Sequence, residues 1–513
     1  MLHGYSNITY PNNQQGVTES NILNVTYYDD YDWISPQSVI YGYGFSSADD
    51  ISQTGRTSHR VTGLITGTLT KVLEKGALFD QWLTSSFYYD NNYNAIQAVV
   101  DLYPSGSEIV SNQHNSMGQV IRTKVKQTVN NTAHEYNKWF DYDEWGRLLR
   151  IRQRITDDPQ GEVLLAEYGY DELGNVIFKK IHGNKEETKY VYDIFRRIIS
   201  AESPSFFYTL YFDKLYLTPG RVDGLVSSVK WGHDSTKIMK AYVYTYNMLG
   251  QLTDAQTRES NPPPYIYQWN LPTNKFRESA TYDKNGNILT MQRYGSNLNL
   301  MTHDYTYTYN HPTNGYALTN VSSSPNDYLY NAIGDMTYDG MNDIQIEYNE
   351  INLPQRMSTS SGQALFVYTA NGEKIAATNG NNVNYYRNTM VYSGATGEIE
   401  YILHPEGFAI KEDSVWVYKY FKTDHLGNTR ALLAVRNNVL INEQQNTDYY
   451  PFGLAHQLDS LHLNKYLFGG KQYQDAPVNG SPLGLYDFHA RYYNPLLGRW
   501  SIRQGSLLIR IVM

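Results

Sequence analysis

Aromatic and polar residues alternate along much of the chain. The runs AYVYTYN (241–247), YIYQW (265–269), YTYTY (305–309) and VWVYKYF (415–421) all repeat with period 2. Such a period predicts β-strands whose aromatic side chains share one face. Sustained helical periodicity is scarce, and the closing run SLLIRIVM (506–513) is apolar but too short to assign. The pattern therefore predicts an all-β protein.

Between the strands one motif recurs: Tyr-Asp or Tyr-Asn, two variable residues, Gly, a polar residue and usually an aliphatic one. Well-formed copies start at Tyr142 (YDEWGRL), Tyr170 (YDELGNV), Tyr246 (YNMLGQL), Tyr282 (YDKNGNI) and Tyr330 (YNAIGDM). Weaker copies start at Tyr192, Tyr338, Tyr348 and Tyr368, and HNSMGQV (114–120) and DHLGNTR (424–430) are related. Many of the gaps fall in the range of roughly 20–30 residues that marks a repeated supersecondary unit. The acid or amide suits the first position of a type I turn, where its side chain accepts backbone N–H groups further on. The glycine tolerates a positive φ and closes a bulged hairpin loop. The pairs Asp143/Gly146, Asp171/Gly174, Asn247/Gly250, Asp283/Gly286 and Asn331/Gly334 are therefore expected at hairpin corners. Asn342 and Asn352 replace the glycine with a residue that still accepts the left-handed conformation. Arg196 fits it less well, so that corner is expected to differ.

These repeats resemble the YD repeats of the RHS family, which includes bacterial RHS proteins, insecticidal toxin-complex shell components and teneurins. Four later segments sharpen the resemblance: YKYFKTDHLGNTRALL (418–433), YYPFGLAHQ (449–457), KYLFGGKQYQD (465–475) and GLYDFHARYYNPLLGRW (484–500). In this order they are similar to the RHS-repeat-associated core of Bacteroidetes-type bacteria. The residues that carry the likeness are Asp424, His425, Gly427, Asn428, Pro451, Phe452, Gly453, Tyr486, Asp487, Arg491, Tyr492, Tyr493, Gly498, Arg499 and Trp500.

The resemblance implies a spiralling β-sheet of hairpins forming part of a hollow shell, with a C-terminal core or plug segment. Its divisions would be 1–135, a β-rich segment preceding the repeats; 136–400, the YD repeats; 401–500, an incomplete core; and 501–513, an aberrant tail. It also implies a non-enzymatic shell that, when intact, encloses and delivers a C-terminal toxin between competing bacteria. The partners would be that toxin and its cognate immunity protein, and the location secreted or at the cell surface. Where such cores continue towards an autoproteolytic site, this chain has SIRQGSLLIRIVM, without Asp, Glu or Pro. A frameshift or gene break just after Ser501 would explain that tail and is hypothesised. Reading the downstream DNA in three frames checks it.

Composition adds limits. The chain has 513 residues, with 49 Tyr against 16 Phe and 8 Trp, and no cysteine. Disulfides, thiolate catalysis and Cys-ligated zinc are excluded. A net charge of −9, without a compact basic run, argues against nucleic acid as a partner. No stretch approaches the ~18 apolar residues of a membrane span. The N-terminus lacks a basic head and apolar run, so either this is not the secretory route or the chain starts inside a longer one.

No cofactor is expected, since G-x-S-x-G, the phosphate-loop pattern and H-E-x-x-H do not occur. YGYGFSS (41–47) lacks the third glycine of a dinucleotide loop and reads as a turn. His456, Asp459 and His462 do not align on any single strand or helix, so no metal site is assigned. Asp487 and His489 alternate on an expected strand and are read as a polar cross-strand pair within the plug. Arg491 and Arg499 are expected to pair with carboxylates or stack on its tyrosines. The tyrosine faces admit one alternative function, a cell-surface scaffold that stacks on sugar rings. Packing alone also explains them, because cross-strand aromatic pairs stabilise a sheet by roughly 0.2–1 kcal/mol each.

Overall fold

The computed structural model describes residues 21–34, 43, 60–77, 79–212, 223–233, 238–260, 269, 273–297, 300–312, 315–379, 382–456, 464–478 and 481–501. The run YIYQW up to Gln268, most of YGYGFSS, Asp459, His462 and the tail after Ser501 lie outside these residues. Among the described residues 33 strands join one antiparallel sheet. Each strand pairs with the next from Asn24–Tyr28 to Asn320–Val321, and again from Leu329–Tyr330 to Val439–Asn446. The described strands before residue 136 belong to this same sheet. A second contact makes it a spiral: Ile65–Leu73 also pairs with Gln363–Thr369, through Val72↔Thr369 and Leu73↔Tyr368.

The corners explain the meander. At 170–176, Asp171 Oδ1 accepts the amides of Leu173 (2.9 Å) and Asn175 (2.8 Å), and Asp171 O accepts that of Gly174 (3.1 Å). Gly174 has φ 83°, where a side chain is strained. The same side-chain bonds recur at Asp143, Asn247, Asp283 and Asn331. The partner glycines close those corners as expected. Gly146, Gly250, Gly286 and Gly334 have φ 79°, 76°, 87° and 94°. Their amides donate to the carbonyls of Asp143, Asn247, Asp283 and Asn331, at 3.0, 3.0, 3.1 and 3.0 Å.

Two corners correct the expectations above. The Arg196 corner does not differ: Arg196 has φ 64°, and Asp193 Oδ1 accepts the amides of Phe195 and Arg197. Its guanidinium donates to Leu173 O and Asn175 Oδ1 of the preceding corner, which offsets the backbone strain. The corner that departs is the one at Tyr338. There the positive φ falls on Asp343 rather than Asn342, and Asp339 pairs directly with Ile344.

The motif tyrosine has its own task. Its hydroxyl donates to a carbonyl in the hairpin before: Tyr142 to Val120 (3.1 Å), Tyr170 to Leu148 (2.7 Å), Tyr246 to Val226 (2.8 Å) and Tyr348 to Met336 (2.7 Å). Phenylalanine would pack there but leave that carbonyl unpaired, so the repeat uses Tyr rather than Phe.

The sheet curls so that one face closes on itself. Tyr136, Ile151, Ile155, Leu165 and Ile181 of the earlier arm pack against Tyr392, Ile402, Trp416, Tyr418, Tyr420 and Leu433 of the later arm. The tyrosine ladders Tyr242/Tyr244, Tyr305/Tyr307 and Tyr418/Tyr420 lie on this buried face. They therefore do not present the exposed aromatic surface that stacking on sugars requires.

Candidate functional site: the docked C-terminal segment

Between the two arms, the buried face of the intervening strands is covered by the described residues of the C-terminal segment, 447–456, 464–478 and 481–501. The segment carries a four-stranded sheet of Gln472–Gln474, Leu485–Asp487, Tyr492–Asn494 and Arg499–Trp500. Register pairs carry one face of the large sheet beneath it, through Ala201, Tyr208 and Trp231, and through Tyr244, Ala255, Glu278 and Arg293.

The segment is held by apolar packing, with Ala476, Val478, Leu483, Leu485, Tyr492 and Leu497 in one cluster with Ile288, Met291 and Phe366, and by buried charge. Asp448 accepts Trp231 Nε1 (2.6 Å), Lys240 Nζ (2.6 Å) and Arg430 Nη1 (3.3 Å), and His233 Nε2 lies 2.9 Å from it. Burial pushes its carboxyl up, but His233, Lys240 and Arg430 together hold it well below the usual aspartate range. Glu278 and Arg293 are fully buried and form an ion pair. Glu278 Oε2 also accepts the Phe452 amide (3.0 Å), and Arg293 donates to the carbonyls of Pro495 and Leu496. Burial raises the Glu278 carboxyl, with Arg293 and the Phe452 amide opposing it. Lys374 Nζ binds Asp487 Oδ2 at 2.6 Å.

The residues singled out in the sequence converge here. Asp424 caps its corner, accepting the amides of Leu426 and Asn428, and binds Arg430 Nε at 2.8 Å. Asn428 Oδ1 accepts the Gly469 amide, and Gly427 sits against that same turn. His425 packs on Tyr208 and, with Pro451, lines a cavity of about 30 Å³. A Cβ at Gly453 would lie 2.8 Å from the Phe468 ring, so a side chain there would force that ring to move. Phe452 O accepts the Tyr493 hydroxyl, and Tyr486 OH lies 3.5 Å from Gly453 O. The Tyr492 hydroxyl meets that of Tyr368 on the wall (3.1 Å). Gly498 packs on Met291 and Phe452. Arg499 donates to Tyr309 OH (2.6 Å) and Tyr316 O and lies over the Tyr309 ring. Arg491 stacks on Trp500 at 4.4 Å. The repeat glycines Gly146, Gly174, Gly250, Gly286 and Gly334 are not brought together with these residues, since each closes its own corner of the sheet.

Three expectations need correction or placement. Asp487 and His489 do not alternate on one strand. The strand ends at Asp487, His489 turns with φ 68°, and Asp487 Oδ1 accepts the His489 amide while Oδ2 binds Lys374. Arg491 and Arg499 are placed by aromatic rings and hydroxyl or carbonyl oxygens. Arg499 stacks on a tyrosine of the wall, not of the plug. His456 lies parallel to the Phe276 ring at 4.0 Å, within hydrogen-bond reach of Tyr242 OH. Burial lowers its imidazole to about 3. Among the described residues no group of His, Asp and Glu is arranged to hold a metal.

Sequence reasoning missed the wall side of this site: Trp231, His233, Lys240, Glu278, Arg293 and Lys374. A signal was present. Lys240 shares the period-2 face of Tyr242 and Tyr244, and Glu278 that of Ala280 and Tyr282, so each places a charge on an otherwise apolar face.

No family model matches the chain, and neither does any curated protein. Solved structures do match. A crystal structure of TcdB2-TccC3 without its hypervariable C-terminal region aligns with TM-score 0.57 at 14% identity, covering 89% of this chain and 25% of that one. TcdB2-TccC3 itself aligns with TM-score 0.56 at 15% identity, covering 89% and 26%. The Photorhabdus luminescens Tc holotoxin pore gives TM-score 0.56 at 15% identity, covering 89% and 25%. The chain thus spans about a quarter of the length of the chains it matches, and the likeness concerns the fold. That fold is the all-β, RHS-type shell built from one long antiparallel sheet.

Proposed function

We propose that the chain is a non-enzymatic RHS/YD-repeat shell protein whose C-terminal core anchors a cargo to the buried face of the sheet. In intact form the cargo is a toxin delivered between bacteria and matched by an immunity protein, and the shell is secreted or displayed at the cell surface. The sequence likeness to the core of Bacteroidetes-type proteins supports this reading. The observation that carries it is the docking of residues 447–501. The segment is fixed by Asp448, Glu278–Arg293 and Lys374–Asp487, and it ends with Ser501 buried, its amide bonded to Tyr492 O. On this reading a polypeptide joined after Ser501 starts from a buried residue of the docked segment.

A protease site and a small folded reporter joined directly after Ser501 test this. Cleavage at that site is expected to be roughly tenfold or more slower than at the same site placed at the N-terminus, because cleavage requires opening. Equal rates at the two sites would refute the anchoring role.

A further inference from the structure

One buried lysine has no anion. Lys138 lies on the strand Thr132–Tyr142, two residues from Tyr136 and from Phe140, on the face that packs against the later arm. It is 9% exposed, and its ammonium lies over the Tyr136 ring at 4.9 Å. Among the described residues it meets no carboxylate, and burial alone lowers its pKa to about 8. The other buried lysines are paired: Lys71 with Asp80, Lys419 with Glu412 and Glu443, and Lys422 with Glu186.

Unpartnered polar atoms gather around Lys138. Gln153, on the strand Leu148–Ile155, is its direct partner in register, and the flanking pairs Tyr136↔Ile155 and Phe140↔Ile151 belong to the same packed face. Gln153 is fully buried, and neither its Nε2 nor its Oε1 has a hydrogen-bond partner among the described residues. His404, at the end of Ile399–His404, approaches from the later arm, packed on Tyr418 and Tyr420. Burial, and then the Lys138 charge, lower its imidazole to about 3. With Nδ1 accepting the Glu406 amide (3.3 Å), Nε2 carries the ring proton and is likewise unpartnered.

The rest of the contact between the arms is built differently. Gln127 is bonded to Glu108, Tyr392 and the Arg387 carbonyl, and His182 to Tyr420. The carboxylates of this layer are engaged elsewhere: Glu406 with Lys179 and Tyr168, Glu186 with Lys422, and Glu108 with Gln127 and Asn388. None is left to neutralise Lys138. A buried charge without a counter-charge is strongly unfavourable. A water molecule would satisfy Gln153 but not that charge.

We propose that Lys138, Gln153 and His404 form an anion site that takes a carboxylate. Lys138 supplies the charge, and Gln153 Nε2 and His404 Nε2 supply donors to the two oxygens. The ammonium has three N–H donors, so it serves the ligand and Gln153 Oε1 together. The carboxylate belongs to a small free acid or to an acidic side chain of another polypeptide, since the chemistry of the two is the same. This inference goes beyond the shell reading and holds whatever follows Ser501.

Thermal melting of the full chain tests it, with sodium acetate replacing sodium chloride at fixed pH and ionic strength. The melting temperature of the wild type is expected to rise saturably, by about 2 °C or more. Lys138→Met removes the unpaired charge, so it should be at least as stable as the wild type without acetate and show no acetate-dependent shift. Gln153→Leu should raise the half-saturating acetate concentration roughly tenfold. A blocked oligoglutamate peptide separates the two sources. A shift at peptide concentrations where acetate is silent identifies a polypeptide side chain, and a response to acetate alone identifies a free acid. A wild type that melts identically in acetate and chloride would overturn the proposal, as would an equal acetate shift in Lys138→Met.

Discussion

The buried face of the sheet is closed in two ways. Arm against arm, it is closed by aliphatic and aromatic side chains such as Leu165, Ile402 and Leu433, with no exposure above 1% at any of the three, and by the buried pairs Lys179–Glu406 and Lys422–Glu186. Segment against wall, Ala476, Val478, Leu483, Leu485, Tyr492 and Leu497 share one apolar cluster with Ile288, Met291 and Phe366, and the ion pairs of Asp448, Glu278–Arg293 and Lys374–Asp487 and the Tyr307 hydroxyl on Leu497 O add directed contacts. Apolar packing is undirected and tolerates small shifts of register. A buried ion pair tolerates few, because leaving one partner unpaired is strongly unfavourable. The first closure holds the wall together. The second fixes one segment in one position on a wall already formed.

The sharpest way to break this contrast is Arg293→Met. It leaves the Glu278 carboxylate fully buried without its cation and strips donors from Pro495 and Leu496. The expected loss is about 4 kcal/mol, by denaturant titration. The loss should fall on the segment first, as a separate early transition in Trp500 fluorescence. A single shared transition would show that wall and segment are not distinct.

Leu165→Ala makes the matching change in the other closure. A cavity there should lower stability by about 3 kcal/mol, with wall and segment unfolding together. Gly174→Val tests a corner remote from both closures. No atom lies within 4 Å of the Cβ it would add, so only the strain of φ 83° acts. About 2 kcal/mol should be lost from the wall, and an unchanged denaturant midpoint would contradict the corner argument.

The two closures each bury a histidine, and pH compares them. Burial holds His404, between the arms, and His456, on the wall-facing side of the segment against Phe276, at about 3. Their unfolded forms take up a proton near pH 6.5, while the folded forms resist until about pH 3. Stability is therefore greatest above pH 6.5 and falls with acidification through this window, by up to about 1.4 kcal/mol per pH unit for each histidine. His456→Phe should flatten the slope for release of the segment, and His404→Phe that for global unfolding. Identical slopes would erase the distinction. The smallest effect is expected from Tyr170→Phe, which removes one hydroxyl bond between neighbouring hairpins and should reduce stability by about 1 kcal/mol.

The strands and corners were legible in the sequence because their causes are local. A period of 2 and an Asp-x-x-Gly turn act within a few residues. The exception, Arg196, depends on the carbonyl of Leu173, a bond to another corner that no window of sequence contains. Half of the docking site was legible too, since the core residues from Asp424 to Trp500 lie in recognisable segments. The wall half was not, because Asp448 meets Trp231 across 217 positions and Phe452 meets Glu278 across 174. Asp487 was misjudged for the same reason: its partner Lys374 lies 113 positions away, while His489 lies two.

Peptide-resolved hydrogen exchange of the wild-type chain tests most directly whether the segment is a separate unit on a preformed wall. Residues 464–501 should exchange through a common opening of lower free energy than that of strands Leu148–Ile155 and Thr429–Arg436, which stay protected while the segment opens. If segment and wall exchange together at one global rate, the segment is part of a single cooperative core, and the account of it as a docked plug is wrong.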